Sequence, residues 1–179
     1  MVLLKGERVR LRPLEPDDMK DFFHRLNDPE AAGEYDAFGI ESWAEFEKDF
    51  KETGDPHEFT MLIIERNEDR SKLGLVAHYL SHPVMHNVEI GFQIWEPSER
   101  NKGHCSEAVK LLVVYLFTTK SIARVQATTN ILNKPAQRVL EKCGFAKEGQ
   151  LRKALFAGGR FQDMYIYGVT REEWERQKP

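Results

Sequence analysis

Hydrophobic and polar positions along the chain switch period several times, and the switches divide it into short strands and amphipathic helices. Glu7 to Leu14 alternates Val9 and Leu11 with Arg8, Arg10 and Arg12, the pattern of a half-buried strand. Pro16-Asp17-Asp18 opens a helix through Phe22, Phe23 and Leu26, with acids in its first turn where the helix dipole favours them. Asp28 to Ile40, with Pro29, Gly33 and Gly39, reads as loop with room for a short helix. Ser42, with Glu45 three residues on, makes a capping box for a helix striped by Trp43, Phe46 and Phe50. Phe59 to Glu65 and Leu73 to Leu80 are strands about the charged turn Asn67–Ser71, and Val88 to Trp95 is a third.

Beyond a basic turn, Ser106 to Lys120 carries Ala108, Leu111, Leu112, Tyr115 and Leu116 at helical spacing. Val113, Val114 and Phe117 make that helix apolar nearly all round, so it is expected to be buried. Arg124 to Asn130 is a β-branched strand, followed by Asn133 and a helix ending Leu140-Glu141-Lys142-Cys143-Gly144-Phe145. Phe145 to Phe156 and Arg160 to Val169 form a last hairpin about Ala157-Gly158-Gly159.

The junction Gln93-Ile94-Trp95-Glu96-Pro97-Ser98-Glu99-Arg100-Asn101-Lys102-Gly103-His104-Cys105-Ser106 carries the chemistry. A strand feeding through a basic, glycine-bearing turn into a long helix presents free backbone N–H groups and the positive end of a helix dipole at one point, which suits a pyrophosphate. The turn lacks the glycines and the lysine-serine ending of a P-loop and the three glycines of a dinucleotide fingerprint. Arg100-x-x-Gly103-x-Cys105 instead resembles the Gln/Arg-x-x-Gly-x-Gly/Ala signature of the GNAT superfamily of acetyl-CoA-dependent N-acetyltransferases. Asn133, a short helix and Glu141-Lys142-x-Gly144-Phe145 resemble that family's second signature, in the family's order and at about its distance. Within the superfamily, Leu11-Arg12-Pro13-Leu14 with Asp17-Asp18, and Gly149-x-x-Arg152, Gly159-Arg160, Asp163 and Tyr167, are similar to the RimJ/RimL branch.

The resemblance spans nearly the whole chain and implies one GNAT domain over residues 1–179. The fold it implies is mixed α/β (α+β): a mostly antiparallel central sheet covered by helices on both faces. It also implies acetyl-CoA as co-substrate, with no metal, and direct transfer of the acetyl group to a primary amine in a ternary complex. By family position, Glu89 is the candidate catalytic base, acting directly or through water, although Glu89 reads equally well as a polar residue on the solvent side of its strand. The backbone of Gln93, Ile94 and Trp95 is expected to pair with the pantetheine arm and to supply an oxyanion donor. Arg100, Asn101, Lys102, Gly103, His104, Cys105 and Ser106 are the expected diphosphate turn. Asn133 is expected at the pantetheine arm, and its residue type also suits a helix N-cap. Glu34, Tyr35 and Asp36, with Phe38, fall in the region where the family receives its acceptor, a small-molecule amine or a protein N-terminus.

Three positions depart from the family. Ala136 stands where relatives carry serine, Leu140 where others carry a tyrosine general acid, and Cys105 where Gly or Ala is usual. A thiol at a helix N-terminus beside His104 also raises the alternative of a nucleophile. These departures keep a second reading open: a non-catalytic acyl-CoA-binding sensor or regulatory module. His78, His82 and His86 recur every four residues, but Pro83 and the strand context break the helical face that three zinc ligands would need.

Composition bounds the rest. With 179 residues and 41% hydrophobic content the chain can bury one substantial core. Its 26 basic and 29 acidic residues give a net charge of −3, so neither nucleic acid nor an anionic membrane is the expected partner, and any positive site must be local. No apolar run reaches the roughly 18 residues of a membrane span. Cys105 and Cys143 form no C-x-x-C pair, so a cytoplasmic protein with reduced thiols is expected, with a homodimer left open.

Overall fold

The computed structural model describes residues 4–33, 35, 39–52, 59–82 and 87–177. Among these, seven strands form one sheet: β1 (Val9–Pro13), β2 (Phe59–Arg66), β3 (Lys72–His82), β4 (Asn87–Ile94), β5 (Arg124–Asn130), β6 (Ala146–Ala157) and β7 (Arg160–Thr170). Their order is β1-β2-β3-β4-β5-β7-β6. Every neighbouring pair is antiparallel except β4 and β5, which run parallel across a helical crossover. The expected mostly antiparallel sheet is therefore present, and its one parallel seam is where the site forms.

Helices lie on both faces, as side-chain alternation along the strands requires. On one face α4 (His104–Thr119) buries Ala108, Val109, Leu112, Val113, Leu116 and Phe117 against Leu62, Ile64, Val76, Val88 and Ile90. On the other, α1 (Pro16–Leu26) and α3 (Trp43–Glu52) gather Met19, Phe22 and Phe46 over Met61 and Leu75. The Ser42–Glu45 capping box forms at the head of α3, through Ser42 Oγ donating to Glu45 Oε2 at 2.8 Å and reciprocal backbone bonds. Asp18 does more than favour the α1 dipole. It is 4% exposed and accepts from Arg12 of β1 at 2.6 Å and Lys72 of β3 at 3.1 Å, so the first helix is tied to two strands.

Element limits move by a residue or two from the sequence reading, with one consequence. Helix α4 begins at His104 rather than Ser106, because Gly103 in the left-handed region ends the turn there (φ 87°). His104 and Cys105 thus belong to the first helical turn. At the far end, Arg171 donates to the carbonyls of Phe117, Lys120 and Ile122, satisfying acceptors that the helix leaves open and placing a cation at its negative pole. Between Asp28 and Gly33 lies α2 (Pro29–Ala32), and Asn133 caps α5 (Lys134–Lys142). A final helix, α6 (Arg171–Arg176), is absent from the sequence reading, although Thr170 and Glu173 form its capping box.

Candidate functional site

Strands β4 and β5 are paired only through Asn87↔Arg124, Val88↔Val125 and Glu89↔Gln126. Beyond that level they part. Ile90–Ile94 keeps β3 on one side and has no strand on the other, while Ala127–Asn130 pairs with β7 alone. A cavity of about 540 Å³ opens in the gap. It is lined by Ile90 to Ile94 of β4, Thr128 to Asn130 of β5, the turn and first residues of α4, and one face of α5.

Strand register decides which backbone groups face this gap. Trp95 N–H donates to Leu73 O at 2.9 Å, so the Trp95 N–H points toward β3. Alternation then turns the N–H groups of Gln93 and Gly91 toward β3 as well, and those of Phe92 and Ile94 toward the gap. Of the expected run Gln93-Ile94-Trp95, Ile94 is the residue whose backbone N–H faces the gap. Phe92 presents its N–H there too, and Trp95 is not among the cavity-lining residues. Gln93 lines the cavity through its side chain, whose amide donates to Ala31 O at 3.4 Å. The Trp95 ring lies instead under the Arg25 guanidinium, 4.5 Å from the ring centre.

The turn itself is built by left-handed residues. Asn101 (φ 62°) and Gly103 (φ 87°) both sit in this region, which Asn tolerates and Gly adopts freely. A Cβ on Gly103 would meet no atom within 4 Å, so the space above it is open toward the cavity. Gly103 supplies no side-chain cap, and among the described residues no acceptor takes the N–H groups of His104, Cys105 and Ser106. Arg100 folds back on the strand end, its guanidinium donating to Ile94 O at 3.3 Å and Trp95 O at 3.4 Å. Arg100, Asn101, Gly103, His104, Cys105 and Ser106, the expected turn residues, all line the cavity. Lys102 does not: it is spent on Glu99 at 3.2 Å. Glu99 also pairs with Arg66 at 2.7 Å, and these two cations hold its carboxyl below the usual range.

Cys105 tests two opposing influences. A helix N-terminus lowers a thiol pKa, whereas burial raises it. Burial dominates here, with neighbouring Cys143 adding to it, and the Cys105 thiol is pushed up to about 12. Such a thiol is protonated at neutral pH and a poor nucleophile. Both cysteines are free, and Cys143 donates its thiol proton to Ser106 O at 3.3 Å, fastening the end of α5 to the start of α4.

Asn133 lines the cavity and caps α5 at once, its Oδ1 accepting from Ala136 N at 3.1 Å. Ala136 also faces the cavity, while Leu140 is fully buried in the core, so neither offers a proton at the expected positions. Glu89 lies at the last paired level of β4 and β5. Its Oε1 accepts from Thr128 Oγ1 at 2.8 Å and its Oε2 from Gln126 Nε2 at 3.0 Å, and the Tyr79 hydroxyl bonds to the same carboxylate. Glu89 is not among the cavity-lining residues, and Thr128, which is, stands between. Burial, with Glu89 adding to it, pushes the Tyr79 phenol up to about 12. Of the expected acceptor residues, Tyr35 lines the cavity, whereas Glu34, Asp36 and Phe38 fall outside the described residues. Residues that sequence reasoning missed include Thr128, Asn130, Arg138, Lys142 and Met164. A same-face pair of cations at Arg138 and Lys142 was the one local signal available for any of them.

Among the described residues no three metal-ligating side chains converge, and His78 of the histidine series is a core residue, 1% exposed. No helix there is long and apolar enough to cross a membrane.

Comparison with known proteins agrees with this geometry. A family model described as "Acetyltransferase (GNAT) domain" matches residues 8–146. The chain is 29% identical over 171 residues to the SPbeta prophage-derived uncharacterized N-acetyltransferase YokL of Bacillus subtilis, covering 95% of this chain and 94% of that one. It is 26% identical over 165 residues to the spermidine N(1)-acetyltransferase of Vibrio cholerae, covering 90% and 94%. Among solved structures, the ribosomal L7/L12 α-N-protein acetyltransferase RimL in complex with coenzyme A superposes with a TM-score of 0.81. That match covers 94% of this chain and 97% of RimL at 16% identity, a likeness of fold.

Proposed function

The chain belongs to the GNAT acetyltransferase family and is an acyltransferase, and from that premise we propose that it transfers an acetyl group from acetyl-CoA directly to a primary amine. The observation that carries this reading is the parted β4–β5 seam, which opens a cleft of free backbone groups beside the uncapped start of α4. The residues present fit acyl-CoA. The N–H groups of His104 to Ser106 and the open space over Gly103 suit a diphosphate, and the Phe92 and Ile94 backbone suits an arm of alternating amides. Acetyl-CoA supplies the activated acetyl group as a thioester. The chain's own residues orient it, shield it from water and move the amine's proton.

For that proton, Thr128 is the contact and Glu89 the sink. Thr128 faces the cavity and already donates to Glu89, so its hydroxyl can accept from the amine side while passing its own proton inward. Direct transfer needs no acyl-enzyme, in keeping with a Cys105 thiol held protonated by burial.

The acceptor is a small-molecule amine or a protein N-terminal α-amine. Relatives named for spermidine, and a RimL neighbour named for a ribosomal protein, support these two classes. A RimJ/RimL-like specificity and a reducing, cytoplasmic setting belong to the same proposal, the latter supported by two free thiols. Thiol release from acetyl-CoA, followed across polyamines, small amines and peptides with free N-termini, tests it. Turnover on none of them would return the chain to the alternative of an acyl-CoA sensor.

A further inference from the structure

Glycine inside a strand loses the most conformational entropy on folding and packs nothing, so one at such a position marks a bend or the close approach of another group. Strand β4 carries one at Gly91. Neither backbone conformation nor crowding requires it. Gly91 is not among the glycines with positive φ, and a Cβ on it would meet no atom within 4 Å. Gly74 on the neighbouring strand shows the contrast, since a Cβ there would collide with the Gln93 carbonyl. Gly91 also lines the cavity, so the space left by its missing side chain is part of the site.

Alternation and register fix where that space lies. Glu89, Gly91 and Gln93 share one face of β4 and pair across the sheet with Tyr79, Ala77 and Leu75 of β3. This is the face on which Leu75 packs under α1 and α3. Two small residues, Gly91 and the buried Ala77, thus make a notch between the Glu89–Tyr79 and Gln93–Leu75 pairs. On the other side, the pairing Glu89↔Gln126, carried two residues past the point where the strands part, sets Gly91 across the gap from Thr128. The Phe92 and Ile94 amides lie in the plane of the sheet, so an arm paired to them does not enter a notch that opens perpendicular to it. The notch is therefore space for the acceptor.

We propose that Gly91 is a specificity-determining residue: an amine that meets the Thr128 hydroxyl holds its amine-bearing carbon over Gly91, and the notch receives a substituent on that carbon. The notch rests on the acetyl-transfer reading above and narrows its acceptor to amines on a substituted carbon, in preference to amines that end an unbranched chain. A side chain at position 91 fills the notch and reverses that preference.

Three acceptors separate the cases on the full chain: two peptides identical except for N-terminal alanine or glycine, and spermidine. The unaltered protein should show a kcat/KM for the alanine peptide about tenfold above that for the glycine peptide, the lower end for one methyl group in a fitted pocket, and above that for spermidine. Gly91→Ala should remove the difference between the peptides and Gly91→Val should reverse it, both by loss on the alanine peptide. Calorimetry should find CoA affinity within about twofold of the original in both. Valine favours a strand, and circular dichroism checks that each variant is folded. Equal rates on the two peptides, a preference for spermidine over both, or an alanine-to-glycine ratio left unchanged in folded Gly91→Val would each overturn the notch while leaving acetyl transfer intact. Weakened CoA binding in folded Gly91→Ala would assign the glycine to the cofactor arm and overturn the notch as well. Turnover on none of the three would refute the acetyl-transfer reading, and the notch with it.

Discussion

Thr128 Oγ1 donates to Glu89 Oε1 across 2.8 Å, linking a residue that lines the cavity to a carboxylate that does not. The bond spans the last paired level of β4 and β5, where the parallel seam ends and the cleft begins. Glu89 is further held by Gln126 and Tyr79, so its orientation is set by three donors on two neighbouring strands.

If this pair moves the amine's proton, Glu89→Gln should keep CoA affinity and lower kcat by about 10²–10⁴-fold, the range for a positioned base. Thr128→Val should also lower kcat, and Thr128→Ser should restore most of it by returning the hydroxyl. The losses should shrink at high pH, where more amine is already neutral, and should be smaller for an α-amine than for a lysine-like amine, whose pKa is about two to three units higher. A pH–rate profile of each variant on one acceptor checks this. Equal rates for Glu89→Gln and the unaltered enzyme near neutral pH would leave Glu89 a structural residue.

Gly103 is the second point of leverage. Because a Cβ there meets no protein atom, replacement by alanine costs only the left-handed backbone, about 1–2 kcal/mol of stability. Glutamate adds bulk and negative charge where an anion must approach. Gly103→Glu should therefore remain folded and lose CoA binding, whereas Gly103→Ala should bind CoA with moderate weakening. Circular dichroism and calorimetry on both variants separate folding from binding. Unchanged CoA affinity in folded Gly103→Glu would move the site elsewhere.

What the sequence shows of this site is what local backbone chemistry dictates. The glycine that ends the turn, Arg100 before it, the apolar helix after it and the Asn133 cap are each legible within a few residues, because each serves a local conformation. The Glu89 cluster is not. Gln126 and Thr128 lie 37 and 39 positions away and arrive only through β4–β5 pairing. Backbone donors are equally hidden, since one step of register turns every N–H from β3 to the gap, so the N–H groups of Phe92 and Ile94 face the gap while those of Gln93 and Trp95 face β3. Lys102 illustrates the same limit. A basic turn residue looks like a phosphate ligand until Glu99 is seen to hold it.

Cys105 should behave as a spectator. With its thiol pushed up to about 12, it should alkylate slowly at pH 7–8, and bound CoA should slow it further. Cys105→Ala restores the small residue usual at this position and should retain or raise turnover. Mass spectrometry after incubation with acetyl-CoA should find no acetyl group on Cys105. A covalent acetyl adduct, or abolished turnover in the alanine variant, would reinstate a nucleophilic role.

His78 predicts the acid limit of the fold. It lies on β3, 1% exposed beside the Tyr115 ring, and among the described residues neither ring nitrogen has a hydrogen-bond partner. Burial, with Lys120 adding to it, lowers its pKa to about 4. The sign follows directly. An unfolded histidine protonates near pH 6.5 while the folded one resists, so the unfolded state binds the extra proton first. The stability this residue contributes is complete above about pH 6.5 and is lost as pH falls toward about 4, by about 2–3 kcal/mol over that window. Denaturant titrations at pH 7.5 and 4.5 should show the loss. His78→Leu removes the titrating group and keeps most of the buried volume, so it should shrink the difference between the two pH values even if it is less stable at both. An undiminished difference in that variant would assign the acid sensitivity to the carboxylate network of Asp18 and Glu65 instead, where ion pairs with Arg12, Lys72 and Arg10 lower both pKa values and are lost on protonation.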